Sequence, residues 1–128
     1  MKRLSKTEAV RFFERKLAFT TGPIELNELL KGRHDVTVVD VRRPEDYRKG
    51  HIPTAINLPR EEWGTLRGLE RGKPVAVYCY SQQCHLAARA CLEFALKGFR
   101  VMELEGGWHA WKEYGLEIEG EKKLRRAA

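Results

Sequence analysis

Long apolar runs are missing from this chain: no stretch approaches the ~18 residues that suggest a membrane-spanning helix. The basic opening MKRLSKTEAVRFF lacks the apolar core of a secretory signal, so export is not expected and a cytoplasmic location is. Cysteine is scarce. The three present, Cys79, Cys84 and Cys91, are odd in number and clustered, which reads as reduced thiols rather than a disulfide framework. A zinc site built from Cys79, Cys84, His85 and Cys91 would lack the usual closely spaced cysteine pairs, and no metal or cofactor is expected. No Gly-rich nucleotide loop, Ser-His-Asp arrangement, internal repeat or low-complexity linker can be found. Acidic residues are the minority charge, 18 against 24 Lys plus Arg, giving +6. The bases are scattered with no aromatic-interleaved stripe, so the field attracts anions without implying nucleic acid. The densest basic cluster, Lys122 to Arg126, reads as a solvated terminus, with contact to an anionic partner as the alternative.

What is there fits one ordinary domain: 128 residues, 42% hydrophobic and 33% charged. Ser5 and Glu8 have capping-box spacing, and Val10, Phe13 and Leu17 fall on one stripe, which predicts a helix over 6–17. Glu25 to Leu30 reads as a short helix closed by Gly32, and Pro44 to Lys49 as a helical turn ending at Gly50. Val36 to Val41 and Val75 to Cys79 are apolar and rich in β-branched residues, as strands buried on both faces are. Short strands are expected at Ala55 to Leu58 and Arg100 to Leu104, and a short helix carrying Trp63 within 61–70. A helix follows the second buried strand over about 84–97, and the last helix opens at Gly106-Gly107 and closes at Gly115. Strands alternate with helices. That pattern predicts an α/β fold with a mainly parallel sheet.

In such sheets ligands bind beyond the carboxyl ends of the strands, which is where Cys79 falls. Tyr80, Ser81, Gln82 and Gln83 separate it from Cys84 at the next helix start. A strand-to-helix loop offers unpaired backbone N–H groups and the positive end of a helix dipole, and a thiol held there can become a thiolate near neutral pH. Spacing alone leaves two readings for Cys79, a reactive thiol or a small buried hydrophobe. Cys84 is a packing residue, a resolving thiol or the principal nucleophile, and Cys91 reads as core. Phosphate-ester chemistry on this loop needs an arginine six positions after the cysteine to grip the phosphoryl oxygens. His85 stands there after Cys79 and Ala90 after Cys84, so a cysteine phosphatase or arsenate reductase of that design is excluded. His51 reads as a structural hydrogen-bonding residue. His85 reads as surface decoration or a group tuning the thiolate, and His34 and His109 as exposed.

Three segments, in this order and spacing, resemble one family. Val38 to Tyr47 with Gly50-His51-Ile52-Pro53-Thr54-Ala55-Ile56-Asn57 resembles the first signature of rhodanese-like domains. Val77-Tyr78-Cys79 before a helix resembles their active-site strand, and Leu104 to Trp111 their C-terminal signature. The match runs over about 21–118, leaving 1–20 as an N-terminal helical extension and 119–128 as a basic tail. The resemblance implies a single domain with about five mainly parallel strands flanked by helices on both faces.

It also implies sulfurtransferase chemistry. Cys79 would take the outer sulfur of a sulfane donor (thiosulfate, polysulfide or a protein persulfide), hold it as a persulfide and pass it to a thiol or cyanide-type acceptor. The loop Tyr80, Ser81, Gln82, Gln83, Cys84 and His85 would bind the anion, and Asp40 and Arg42 would support the loop. No nucleic acid or membrane partner is implied. The chain departs from the common pattern in the loop, which has neither the midway glycine nor a cation near Cys84. Weak activity with thiosulfate is therefore expected. Thr54 also stands where a glycine is usual. Two other readings remain at this point: a redox or persulfide sensor using Cys79 and Cys84, and a non-catalytic binding module.

Overall fold

The computed structural model describes residues 5–121; the basic cluster 122–126 lies outside them. The elements are, in order, α1 (Lys6–Phe19), β1 (Thr20–Thr21), α2 (Pro23–Lys31), β2 (Thr37–Asp40), α3 (Pro44–Lys49), β3 (Ile56–Asn57), a 3-10 helix (Arg60–Thr65), β4 (Val75–Tyr78), α4 (Leu86–Leu96), β5 (Val101–Leu104) and α5 (Gly107–Glu113). The five strands form one parallel sheet in the order β1-β5-β4-β2-β3. The α/β architecture with a parallel sheet flanked by helices is as the sequence implied.

The central strands are buried on both faces, which is why they read as unbroken apolar runs rather than as alternation. On one face Val39, Val75 and Val77 pack with Ala87, Ala90 and Phe94 of α4 and with Trp63. On the other, Val38, Ala76 and Tyr78 meet Leu26 of α2 and Trp108 and Trp111 of α5. Register along β4 sends Cys79 to the α4 side and Tyr78 to the α5 side, since successive side chains alternate.

Several boundaries differ from expectation. β1 was not recognised, because two threonines pairing with Glu103 and Leu104 carry no periodic signal. The expected helix within 61–70 is a 3-10 helix beginning at Arg60. Cys79 follows β4 rather than ending it, and Cys84 precedes α4, whose N-cap is His85. The loop between β4 and α4 is thus longer at both ends than the spacing argument assumed. The α1 capping box is present, with the Ser5 hydroxyl accepting the Glu8 N–H at 3.1 Å and Glu8 Oε2 accepting the Ser5 N–H at 2.8 Å. Among the described residues no helix is long and apolar enough to cross a membrane.

Candidate functional site

The loop from Cys79 to Cys84 is anchored by its backbone to the start of α5. Trp108 N–H donates to the Cys79 carbonyl at 2.8 Å and His109 N–H to the Tyr80 carbonyl at 2.9 Å. The approach is so close that only glycine fits at 107: a Cβ there would lie 2.7 Å from the Cys79 carbonyl oxygen, and φ is +56°. The Gln82 side-chain oxygen accepts from Gly106 N–H at 2.5 Å, closing the other side of the loop. Gln82 therefore ties the loop to α5 rather than facing the thiol.

Cys79 is 2% exposed. Its thiol donates to the Cys84 carbonyl at 3.2 Å, and the backbone amides of Ser81 and Ala87 act to lower its pKa. The Cys84 side chain acts on the same thiol and raises its pKa. Burial, then the Cys84 side chain, push Cys79 up to about 12 from an ordinary 9.0, against the two amides. The loop-borne lowering that the sequence suggested is therefore outweighed. Cys91, mid-helix in α4, packs against the core as expected, and burial pushes it too up to about 12.

The remaining residues singled out from the sequence divide between this loop and a support beneath it. Tyr80 is half-buried; its hydroxyl donates to Asp46 Oδ2 at 2.5 Å and accepts from the Arg43 N–H at 3.3 Å. That donation is the largest cause holding the Asp46 carboxyl below its usual range. Ser81 accepts the Cys84 N–H through its carbonyl at 3.1 Å, and Gln83 and His85 are exposed. His85 makes no side-chain cap bond, but its charge acts on Glu103, a half-buried carboxyl on β5 that the sequence reading missed. Burial, then Glu105, raise Glu103 above its ordinary value. An acidic residue within a parallel strand was the available signal.

Asp40 and Arg42 are 0% and 2% exposed and form a fork: Nε lies 3.1 Å from both carboxylate oxygens and Nη2 2.8 Å from Oδ2. Arg42 Nη2 also donates to the Gly50 carbonyl at 2.6 Å, and Tyr78 OH donates to Asp40 Oδ2 at 2.6 Å. Trp108 covers the guanidinium at 4.5 Å. One buried ion pair thus joins the ends of β2 and β4, the start of α5 and the turn after α3. Tyr78 was not foreseen in this role, since a tyrosine in an apolar strand reads as core. His51 stacks on Tyr47 at 3.8 Å and its Nδ1 lies 2.7 Å from the Tyr47 carbonyl, the structural part expected of it.

This geometry can be set beside known proteins. A curated protein named a sulfurtransferase, from Allochromatium vinosum, is 33% identical over 95 residues, covering 73% of this chain and 87% of its own length. An HTH-type transcriptional regulator of Mycobacterium tuberculosis is 37% identical over 95 residues. That match covers 72% of this chain but only 42% of the regulator, so the chain spans less than half of that relative. Among solved structures, the BH2092 protein of Bacillus halodurans superposes with a TM-score of 0.84 at 38% identity, over 91% of this chain and 87% of that one. Residues 23–114, from the start of α2 to the end of α5 and including the whole Cys79–Cys84 loop, match the rhodanese-like domain, and the chain belongs to that family.

Proposed function

We propose that the protein is a sulfurtransferase or sulfur carrier that works through a persulfide on Cys79. The observation that carries this reading is the position of the Cys79 sulfur. It stands beyond the carboxyl end of a central parallel strand, in the loop that leads into α4. The Cys79 thiolate attacks the outer sulfur of a sulfane donor. The donor's sulfur–sulfur bond breaks and its electron pair leaves with the donor remnant, which is sulfite when thiosulfate is used. An acceptor thiolate or cyanide then attacks the outer sulfur of the Cys79 persulfide, and Cys79 departs as thiolate. The amides and the first turn of α4 favour the anionic forms at each stage.

The raised thiol pKa and the absence of a cation among Cys79 to Cys84 act in the same direction. Both lower turnover with a small dianion such as thiosulfate. A polysulfide or a protein persulfide is the better donor, because its affinity does not depend on one charged side chain in the loop. Intact mass of the wild type after polysulfide treatment should rise by about 32 Da, the mass of one sulfur, and Cys79→Ser should not gain it. Full sulfur transfer by Cys79→Ser would sink the reading. A Cys79 that is reduced and labels with no adduct from either donor would leave a binding module.

The Cys84 side chain beside the Cys79 thiol favours a second reading, a thiol switch. A peroxide would accept two electrons from the two thiols as they lose two protons and form a disulfide. Oxidant titration would then give a loss of about 2 Da mapped to Cys79 and Cys84.

A further inference from the structure

A 14-residue helix is marginal in water on its own hydrogen bonds and owes its stability to a packed apolar face. α1 buries none of its residues. Its C-terminal end is fastened to the sheet by the Lys16–Glu105 ion pair at 2.6 Å and by the Thr20 hydroxyl on the Lys16 carbonyl. Helical geometry places Val10, Phe13 and Leu17 on one side of Lys16 and Phe12 and Phe19 on the other, an apolar sector interrupted by Lys16 and, in the first turn, by Lys6. All five are exposed, from 48% at Val10 to 77% at Leu17. They leave on the order of 600 Å² of uncovered apolar surface, at the top of what a monomer normally shows. A groove of about 360 Å³ between Phe19 and Ala95 carries this surface on toward α4, where Leu92 and Leu96 are also exposed.

The charges bordering this face are self-complementary. Glu8 and Arg15 share one flank of the helix, two turns apart, next to Phe12 and Phe19. A second copy laid antiparallel, with its axis of symmetry between Arg11 and Phe12, sets Glu8 opposite the partner's Arg15. The same register sets Val10 opposite the partner's Phe13. The two-fold repeats both pairings, as an isologous interface requires.

We propose that α1 is a homodimer interface, pairing antiparallel with α1 of a second copy through Val10, Phe13 and Leu17, with Phe12 and Phe19 on its flank. The inference is independent of the sulfur chemistry. Sedimentation velocity on the full chain should give twice the 14.8 kDa chain mass at about 100 μM. Phe13→Glu should sediment as a monomer, lose at most the helical dichroism of α1 and leave the urea midpoint of the rest of the fold unchanged, because Phe13 packs on Phe12 of its own helix and not on the sheet. Arg15→Glu should weaken the dimer by about fivefold to tenfold. A wild type that stays monomeric at that concentration overturns the proposal, as does a dimer that survives Phe13→Glu. A monomer that floats with phosphatidylglycerol vesicles also overturns it and gives the face to a lipid surface.

Discussion

The Cys84 carbonyl accepts the Cys79 thiol at 3.2 Å, on a sulfur whose burial is the main cause that keeps its proton in place. With the thiol pushed up to about 12, the thiolate is a small minority at neutral pH and grows with every step toward alkali. Alkylation of Cys79 by iodoacetamide, followed by peptide mapping, should therefore accelerate about tenfold per pH unit between pH 7 and 9 with no plateau. A plateau near neutrality would mean that the amides of Ser81 and Ala87 prevail over burial.

The same shift has a consequence for stability. The folded-state pKa of Cys79 and of Cys91 is raised from 9.0 to about 12, so the folded protein holds these protons more tightly than the unfolded chain. Their contribution is present in full below pH 9 and is lost as pH rises from 9 toward 12. Tyr47, Tyr78 and Tyr80 are raised as well and add to the loss in the same direction. Urea midpoints should fall between pH 8.5 and 10.5, and the fall should be shallower in Cys91→Ala.

Removing one partner of the Asp40–Arg42 pair should be among the costliest single changes. Arg42→Met leaves a carboxylate at 0% exposure with Tyr78 OH and the Arg42 backbone N–H as its remaining donors, and it also strands the Gly50 carbonyl. A loss of about 3–5 kcal/mol is expected in urea unfolding. A loss under 1 kcal/mol would show that the fork does not hold the strand ends together.

Gly107→Ala tests the closeness of α5 to the reactive loop. Its Cβ would meet the Cys79 carbonyl oxygen at 2.7 Å and the Ser81 nitrogen at 3.0 Å, all of them backbone atoms that cannot swing aside. The loop must move. Stability should fall by about 2–4 kcal/mol, and persulfide formation on Cys79 should fall with it. Gly64→Ala, with open space around its Cβ, is the control and should change neither.

The strands and helices were legible where one physical cause dominated. Val75 to Cys79 read as a doubly buried strand, one residue longer than β4, and Ser5 with Glu8 announced the start of α1. β1 was not legible, because its two threonines owe their conformation to pairing with β5 rather than to any preference of their own. The position of Cys79 followed from strand and loop order, but its protonation did not. Whether a carbonyl or an amide faces the sulfur depends on individual peptide orientations within the loop, which spacing does not encode. The Asp40–Arg42 fork was known only as a family support; its lid, Trp108, and its third member, Tyr78, come from distant segments that only the sheet brings together.

Thr54 is the position where a departure from the family pattern met a backbone consequence. The residue sits at φ +70°, the left-handed region, where a β-branched side chain crowds its own backbone. It is nonetheless held there: Thr54 N–H donates to Glu119 Oε1 at 2.8 Å, and the adjacent bridge between His51 and Glu119 fixes the turn. Thr54→Gly keeps that N–H and relieves the crowding, at the smaller cost of a looser unfolded chain. The net should be a gain of about 1 kcal/mol, read as a melting temperature higher by about 3–6 °C. A lower melting temperature would mean that the threonine side chain contributes more to the turn than its strained backbone costs.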